Sequence, residues 1–565
     1  MSDNLKELIT ELLGTRGRKL PHSVIGKRNC GLPSFADCAG IKHGPTKLPL
    51  QPKPLDPVVT SRMGKLSLGT KVELTWEECR KILEEPGRYR NVPKAELNRS
   101  SCTLNAEQTQ YLIGIDFWEL LTPEQVKEIM GVCKVFTRDE TWKNPPRARI
   151  ITWTWTVNQD EGMRVQFDLF NQSQVRHLVH EGEQAASIDG KAAFNQFCYT
   201  VEVGMYHCVH TPLGWCRVKR SAMGARPSCF VANTALDVLA AHSRTVFKTY
   251  IDNLLFVGKT DDLVHDLEKV RERAAFANYT FNEDLSNPSE LIHQELEFLG
   301  VILNFRDKKV SLGEKVIQKL ATVWTRQREW TVRDFIVCVC ILVYTSNVLG
   351  RRMSRWQLVL QVWAQMQGET MSDPSMLNAP LVVLNPAVLT ELEEWVGLTL
   401  TNEPLDVPKK GIQVHDFIVV TDASGYGWSG IILSCKTGQT TVVRGTWPGQ
   451  HLEMLKHSTT AEPLAVALSI NTFFDLGATA KVLVISDNTA TVGELNKGYG
   501  TKPGRFLAQH LGKRYPHLDV DAEYYPGEAI PTDEGSRGLA LNRKKLDDLA
   551  ASKALTITSI REIVM

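Results

Sequence analysis

A single carboxylate stands between two apolar, β-prone stretches in the segment Thr249–Gly258. The alternation predicts a β-hairpin with Asp252 and Asn253 in its turn, because Asp and Asn tolerate positive φ better than most residues. Asp252 then has two interpretations. It caps an ordinary hairpin turn, or it is a metal-binding carboxylate on a rigid support, and the second interpretation requires another carboxylate from elsewhere in the chain.

A second carboxylate closes another predicted strand, Ala185–Asp189, which is followed by a helix start with Phe194 five residues on. Two carboxylates that converge at strand ends repel each other, and each raises the pKa of the other. A divalent cation removes this cost, and hard oxygen ligands favour Mg²⁺ or Mn²⁺. Two such ions bridged by Asp189 and Asp252 can activate a 3′-hydroxyl and stabilise a leaving pyrophosphate.

Cations precede this pair of carboxylates in the chain. The β-branched, alternating stretch Arg149–Asn158 predicts a strand, with Arg147 and Arg149 at its start. Cations on a strand that overhangs an active site suit a triphosphate. The alternative is an ordinary basic strand end.

Four more acidic residues follow predicted strands or open predicted helices in the C-terminal third. Apolar strands end on Asp422 and Asp487, while Glu462 and Asp533 lie at helix starts. Pro463 then occupies a tolerated first-turn position. A cluster of four acids would be very costly without bound cations. The alternative, separate caps and turn acids, needs four coincidences.

The order of these motifs resembles that of a reverse transcriptase. Arg149–Asn158 resembles the fingers strand, and Asp189–Phe194 resembles the first catalytic palm motif. Tyr250–Asn253 resembles the Tyr-X-Asp-Asp hairpin of the family. Two further matches are the Gly-containing turn Arg220–Ser228 and the primer-grip entry Phe298–Gly300. Five motifs in the right order make a strong signal, whereas any one of them alone would be weak.

The resemblance implies roles for particular residues. Asp189 and Asp252 would hold two Mg²⁺ or Mn²⁺ ions. Arg149 would contact the triphosphate, and Phe194 would be the aromatic gate that rejects a 2′-hydroxyl on the incoming nucleotide. The remaining substrate-contacting positions that the resemblance implies are Met223, Gly224, Tyr250 and Asn253.

Two departures from the family pattern bear on activity. Asn253 stands where the family usually has a second Asp. Asn keeps a carbonyl oxygen but loses a charge, so we expect activity that is weaker or more dependent on Mn²⁺. The stretch Asn282–Gln294 contains no Lys, whereas the family often has one there as a candidate general acid for pyrophosphate.

The C-terminal acids resemble, in type and order, the four-carboxylate site of ribonuclease H. The four positions are Asp422, Glu462, Asp487 and Asp533. The resemblance implies two metal ions that activate water and hydrolyse an RNA phosphodiester. It also implies a fold that distinguishes RNA from DNA through the 2′-hydroxyl and follows the hybrid along its backbone.

Three motifs look closest to tyrosine-recombinase retrotransposons of the DIRS order, including VIPER-like elements: Met223–Ser228, Tyr250–Asn253 and Pro531–Arg537. We therefore expect an RNA-directed DNA polymerase with ribonuclease H activity. Its partners would be an RNA template, a DNA primer, the RNA/DNA hybrid and deoxynucleoside triphosphates. The alternative is a domesticated RNA-binding scaffold with both folds and weak or no catalysis, which Asn253 and the missing Lys favour and the six retained acids oppose.

Composition limits the remaining possibilities. At 565 residues, with 43% hydrophobic and 23% charged residues, the chain should hold several folded domains, and its net charge of +1 excludes a strong overall field toward nucleic acid. Residues 14–70 are locally basic and are either a nucleic-acid contact or a solvated linker. Cys30, Cys38 and His43 lie close together without a standard zinc spacing. Scattered cysteines, no signal-like N-terminal run and no membrane-length apolar segment predict an intracellular protein without a membrane partner.

The expected fold is an α+β right-hand polymerase followed by an α/β ribonuclease H-like domain. The predicted divisions are a basic N-terminal extension, fingers and palm, thumb or connection helices with a linker, a ribonuclease H domain and a C-terminal tail, at residues 1–100, 101–310, 311–405, 406–545 and 546–565. Helical patterns in residues 313–366 carry Trp and Met that we expect in the core. The oligomeric state is left open by the sequence.

Overall fold

The computed structural model describes residues 24–25, 46–141, 143–409, 415–447, 455, 457–498 and 502–565. The chain divides into two compact units. The N-terminal unit comprises Cys30–Gly313 and Pro404–Val407, and the C-terminal unit comprises Met1–Asn29, Glu314–Glu403 and Pro408–Met565. The sequence expectation for Cys30, Cys38 and His43 lies outside the described residues.

Both units contain strands and helices. In chain order the strands are β1 (Val24–Ile25), β2 (Ser101–Cys102), β3 (Trp118–Leu120), β4 (Lys134–Glu140), β5 (Arg147–Trp153), β6 (Gln184–Asp189), β7 (Cys208–Thr211), β8 (Gly214–Val218), β9 (Val246–Tyr250), β10 (Asn253–Gly258), β11 (Ile292–His293), β12 (Glu295–Phe298), β13 (Val301–Asn304), β14 (Lys309–Leu312), β15 (Leu381–Val383), β16 (Leu405–Asp406), β17 (Phe417–Ala423), β18 (Gly427–Ser434), β19 (Gln439–Thr446), β20 (Ala480–Ser486), β21 (Leu518–Tyr524) and β22 (Ser559–Val564). The α-helices are α1 (Thr60–Ser67), α2 (Glu73–Glu84), α3 (Ala106–Gly114), α4 (Pro123–Val126), α5 (Val201–Gly204), α6 (Ser228–Ala240), α7 (Thr260–Ala277), α8 (Glu314–Thr325), α9 (Val332–Leu349), α10 (Gln357–Ser372), α11 (Pro386–Leu400), α12 (Ser458–Phe473), α13 (Thr489–Lys497), α14 (Lys502–Arg514), α15 (Asp533–Ser536) and α16 (Arg543–Ser552).

The sheet that carries the first two carboxylates has the strand order β11-β6-β10-β9, and its pairings are antiparallel. Ile188, Leu254 and Phe256 from this sheet share one apolar core with Phe230 and Leu236 of α6. All five side chains are at least 97% buried. Burial of this kind gives the strand ends a rigid support, because packed interiors tolerate little displacement.

Three further sheets lie in the described part of the N-terminal unit, with strand orders β2-β4-β5, β3-β8-β7 and β12-β13-β14-β16. The strand predicted over Arg149–Asn158 is β5, which ends at Trp153, and a 3₁₀ turn follows at Val157–Gln159. Leu299 and Gly300 join β12 to β13 with φ of 50° and 76°. A two-residue turn with positive φ at both positions matches the twist of a hairpin.

Residues 46–67, which we expected to be part of an irregular basic arm, are ordered against the N-terminal unit. The Gln51 N–H donates to the Ala148 carbonyl at 2.7 Å, and the Ala148 N–H donates to the Pro49 carbonyl at 2.8 Å. Helix α1 follows, with Met63 fully buried. Residues 49–51 therefore lie along β5, and this stretch is not a solvated linker.

The C-terminal unit begins with four helices, α8 to α11. The first three are the helices predicted from the pattern in residues 313–366. Trp330 and Trp356 are buried, as expected of core residues, and Trp356 stacks on Trp395 with ring centroids 5.5 Å apart. Helix α11 lies within residues 367–412, where the Pro and Asn content predicts a linker, and its Leu392 and Trp395 are fully buried in the same core.

Helix α9 is long and apolar enough, by length and composition, to cross a membrane, with a mean hydropathy of 1.7. Core helices of soluble proteins pass the same test, and 56% of this helix is buried inside the protein. Phe335, Val339 and Leu342 contribute to the helical core.

The second part of the C-terminal unit is a six-stranded sheet of order β21-β20-β17-β18-β19-β22. Helices α12 and α14 pack on one face of it and α16 packs on the other. Burial on both faces explains why β17 and β20 are continuous apolar runs in the sequence. The last strand pairs parallel with β19, so residues 546–565, which we expected to be a tail, contribute an edge strand.

Glycine allows α12 to approach this sheet. A Cβ on Gly430 of β18 would overlap the Ser469 hydroxyl and lie 2.7 Å from the Ser469 Cβ. We expect Gly430→Ala to displace α12 and to lower the free energy of unfolding by about 1–3 kcal/mol. Calorimetric melting of the whole chain measures this effect. The control is Gly493→Ala in α13, where no atom lies within 4 Å of the added Cβ. That variant should melt at or above the native temperature, and equal melting of both variants would contradict the close approach.

Candidate functional sites

Strand register brings the first two carboxylates together. In the antiparallel pair of β6 and β10, Asp189 lies opposite Asn253, so Asp252 is adjacent to Asp189. The Gly190 N–H donates to the Asp252 carbonyl at 2.8 Å, which closes the two strand ends against each other. The convergence predicted from the sequence is thus a consequence of one pairing register.

The turn of the hairpin is one residue earlier than predicted. Asn253 pairs with Tyr250 as the first residue of β10, so the turn residues are Ile251 and Asp252. Ile251 has φ of 59°, which a β-branched residue rarely adopts and which costs about 1–3 kcal/mol. Its N–H donates to Oδ1 of the buried Asn233 at 2.9 Å. Packing against α6 therefore imposes the conformation that presents Asp252.

The surroundings of Asp189 and Asp252 disfavour their negatively charged forms. Burial, followed by the charge of Asp252, raises the pKa of Asp189 to about 6. Burial also raises the pKa of Asp252, and the charge of Arg149 opposes that shift. Asn282 donates from Nδ2 to Asp189 Oδ2 at 2.8 Å, while Asp189 Oδ1 is buried without a hydrogen-bond partner among the described residues. An unsatisfied carboxylate oxygen beside a second carboxylate fits a divalent cation, which Asp189 and Asp252 would hold.

A cavity of about 350 Å³ lies over these two carboxylates. Three of the substrate-contacting residues implied by the sequence line it, namely Arg149, Phe194 and Met223. Further cations lining it are Lys53, Lys143, Arg147, Lys191 and Arg220. Tyr250, Asn253 and Gly224 are not among its lining residues. The cavity therefore combines two acids, several cations and an aromatic side chain, which is a suitable environment for a nucleoside triphosphate with bound metal.

Arg149 is anchored by an acid that the sequence argument did not identify. Glu140, whose side chain is 5% exposed, pairs with Arg149 Nη2 at 2.7 Å through Oε1 and with Arg147 Nε at 2.7 Å through Oε2. Glu140 and Arg147 lie directly opposite in the β4–β5 pair. The opposite charges of Glu140 and Arg147, on either side of the loop that joins β4 to β5, are the sequence signal for this contact.

Gly224 lies against Thr152 of β5, next to the residues that line the cavity. It has φ of 118°, and a Cβ there would lie 2.7 Å from the Thr152 carbonyl oxygen. The Asn158 side chain donates to the Gly224 carbonyl at 2.8 Å, and the Thr152 N–H donates to the Met223 carbonyl at 2.9 Å. These contacts hold Met223 against β5, where its Sδ lies 3.8 Å from Arg149 Nη1.

Tyr250 lies outside the cavity wall. Its hydroxyl accepts a hydrogen bond from Gln172 Nε2 at 2.9 Å. The neighbouring Asn253 donates from Nδ2 to Asp252 Oδ1 at 3.1 Å. Asn253 therefore acts on the site through Asp252.

The second site lies at the edge of the six-stranded sheet. Strands β17 and β20 are parallel, with Phe417 beside Val482 and Val420 beside Ile485. Their carboxyl ends therefore bring Asp422 and Asp487 to the same edge. Carboxylate oxygens of Asp422, Glu462 and Asp487 lie within 4.8 Å of one another.

Glu462 is the most perturbed group of this site. Burial, followed by the charges of Asp422 and Asp487, raises its pKa to about 9. Its Oε1 accepts a hydrogen bond from the Ala423 N–H at 3.0 Å, while Oε2 is buried and has no hydrogen-bond partner in the described part of the chain. Burial also raises the pKa values of Asp422 and Asp487. Three converging carboxylates with an unsatisfied oxygen fit a divalent cation.

Asp533 stands beside this cluster and opens α15, as predicted. Its charge contributes to the raised pKa values of Asp422 and Asp487, but it also pairs with Arg537 at 2.7 Å. Helix α12, which carries Glu462, begins at Ser458, so Pro463 is inside the helix and not in its first turn as expected. Proline removes one backbone N–H there, next to Glu462.

Gly527 is a further residue that the sequence argument missed. A Cβ at this position would lie 2.6 Å from Asp487 Oδ2. Only glycine lets the backbone approach the carboxylate so closely without displacement. The Pro526–Gly527 pair indicated a turn but not its partner, because that partner lies on a distant strand.

Comparisons with known proteins give structural neighbours only. No family model matches the sequence, and no curated protein matches it. Among solved structures, the chain is similar to foamy viral protease–reverse transcriptases. The dRH form with double-stranded DNA has 12% identity and a TM-score of 0.43, with coverage of 84% of this chain and 83% of that chain. A complex with an RNA/DNA hybrid has 13% identity and a TM-score of 0.43, with coverage of 84% of this chain and 64% of that chain. A further complex with double-stranded DNA has 12% identity and a TM-score of 0.44, with coverage of 84% of this chain and 99% of that chain.

Neutralising Glu462 should stabilise the metal-free protein at alkaline pH. The folded carboxyl keeps its proton up to a pKa of about 9, whereas an ordinary glutamic acid, as in the unfolded chain, has a pKa of 4.5. The folded state thus binds more protons in this window, so the free energy of unfolding falls as pH rises. Glu462→Gln removes that slope, and in EDTA it should melt above the native chain at pH 8 but not at pH 5.

The control for this measurement is Glu528→Gln. Glu528 is an exposed acid on the short 3₁₀ turn that contains Gly527. Calorimetry should show no pH-dependent difference between this variant and the native chain. A Glu462→Gln effect of equal size at pH 5 and pH 8 would contradict the raised pKa.

Proposed function

We propose that this protein is an RNA-directed DNA polymerase with ribonuclease H activity. The observation that carries the proposal is the presence of two separate carboxylate sets, one in each unit, each with two acids brought together at the ends of paired strands. Each set contains a buried carboxylate oxygen without a partner in the described residues. Phosphoryl transfer depends mainly on positioning of the reacting groups and on charge neutralisation, and both sets of carboxylates can contribute to these.

In the first site the protein's own residues bind and orient the nucleotide. Arg149, Arg147 and Lys143 face the cavity and suit the phosphates. Phe194 lines the same cavity, where an aromatic ring would exclude a 2′-hydroxyl. Asp189 and Asp252 would hold divalent metal, which when bound supplies activation of the attacking hydroxyl and charge stabilisation of the leaving group.

In the second site Asp422, Glu462 and Asp487 would hold the metal that serves RNA hydrolysis, with Asp533 beside them. The pKa of Glu462, about 9, implies that metal binding displaces a proton from this carboxyl at neutral pH. Water activation by the bound metal is the chemistry that such a site supplies.

The proposed setting is retroelement replication inside the cell, with RNA template, DNA primer, their hybrid and deoxynucleoside triphosphates as partners. The sequence motifs Met223–Ser228, Tyr250–Asn253 and Pro531–Arg537 support a relation to the DIRS order. A catalytically weak RNA-binding scaffold is the second candidate. The observation that favours it is Asn253, a neutral residue hydrogen-bonded to Asp252 at 3.1 Å.

Variants of each site should separate the two activities. Asp189→Ala and Asp252→Ala should lower primer extension on an RNA template by about 10²-fold or more, because each removes a charge that stabilises the transition state. Both should still cut the RNA strand of a hybrid. Asp487→Ala should have the opposite effect, so each variant is the control for the other.

The assays are primer extension and hybrid cleavage, in Mg²⁺ and in Mn²⁺, on the full chain. Loss of synthesis in Asp487→Ala as well as in Asp252→Ala would contradict the assignment of two independent sites. Absence of both activities from the native chain, with retained binding of RNA, would establish the scaffold.

A further inference from the structure

A third acid lies beside the first pair of carboxylates. The segment Tyr279–Glu283 runs along residues 189–191, with the Lys191 N–H bonded to the Thr280 carbonyl at 3.0 Å and the Asn282 N–H to the Asp189 carbonyl at 2.8 Å. The Asp189 N–H in turn donates to Glu283 Oε2 at 2.8 Å. The half-buried Glu283 carboxylate is therefore fixed on the backbone of the metal-binding residue itself.

The charge of Glu283 acts on the same site. It contributes, after burial and the charge of Asp252, to the raised pKa of Asp189. The hairpin itself supplies one carboxylate, because Asn253 next to Asp252 is neutral. Two carboxylates neutralise half of the charge of two divalent cations, and a third would neutralise more of it.

A buried hydroxyl independently indicates that this place is built for a ligand. Tyr279 is 5% exposed, and its hydroxyl has no hydrogen-bond partner among the described residues. A Cβ on Gly190 would overlap that hydroxyl oxygen, so the hydroxyl lies under the loop between Asp189 and Lys191. An unsatisfied buried hydroxyl is destabilising, and a hydrogen bond to a bound ligand would remove that cost.

We propose that Glu283 is a positioning residue of the polymerase site: it fixes Asp189 through its backbone and supplies a third negative charge toward the divalent cations. The role rests on the proposed function. Glu283 contacts the site through the backbone of Asp189. On the hairpin side, Asn253 also lies next to Asp189, because the two residues are opposite each other in the register of β6 and β10. An added carboxylate at Asn253 should therefore replace the charge of Glu283.

The test compares Glu283→Gln with the double variant Glu283→Gln/Asn253→Asp. Glutamine keeps an oxygen that can accept the Asp189 N–H, so the single variant removes charge and retains shape. All chains carry Asp487→Asn, which weakens metal binding at the second site. Binding of Mn²⁺ alone is measured by the electron paramagnetic resonance signal of the free ion, and primer extension is titrated with Mg²⁺.

Glu283→Gln should weaken Mn²⁺ affinity by about 10-fold, the lower end of the effect of residues that support metal ligands, and should raise the Mg²⁺ concentration for half-maximal extension. The double variant should restore both values. The control is Asp284→Asn, since Asp284 is the adjacent exposed acid and bonds to its own neighbour Ser286. It should leave both values unchanged.

Native Mn²⁺ affinity in Glu283→Gln would overturn the proposal. If Glu283→Gln weakens Mn²⁺ affinity and Asn253→Asp does not restore it, the proposed charge role of Glu283 would be contradicted. If the parent chain with native Asp487 extends no primer, the proposed function fails, while the Mn²⁺ measurement still decides whether Glu283 supports a metal site. Circular dichroism of each metal-free variant establishes that the fold is retained.

Discussion

Repulsion between buried carboxylates is the constraint on which both sites depend. Without metal, burial and neighbouring charges raise the pKa of Asp189 to about 6 and that of Glu462 to about 9. Packing and hydrogen bonds elsewhere hold the acids in place against this cost. The Ile251 N–H is bonded to Asn233, and Glu462 accepts from the Ala423 N–H. A divalent cation would remove the repulsion without requiring the backbone to move.

The two units reach similar arrangements of acids by different strand pairings. In the N-terminal unit, one antiparallel register sets the end of β6 against the turn before β10, which places Asp189 beside Asp252. In the C-terminal unit, β17 and β20 are parallel, so their carboxyl ends present Asp422 and Asp487 at one edge. A single side chain from α12 completes that second set. Positioning by paired strands limits the relative motion of the acids, which catalysis by positioning requires.

Sequence patterns predicted the strands that carry the acids, because apolar runs ending on Asp are local signals. The hairpin turn was displaced by one residue, since the usual preference for Asn in turns was overridden by the bond from Ile251 to Asn233. Helix α11 was missed because the Pro and Asn that flank it suggested a linker, although its apolar face is buried. Glu140 and Glu283 depend on partners in other strands, so their roles emerge only when those strands pair.

If the chain holds two independent sets of carboxylates for divalent metal, diffraction from crystals soaked in Mn²⁺ and measured at the manganese absorption edge should locate both. We expect anomalous density between Asp189 and Asp252, and separate density among Asp422, Glu462 and Asp487. Density at one set alone would contradict the activity proposed at the other set. Absence of manganese from both sets, at concentrations that saturate other sites in the crystal, would contradict metal binding at either set.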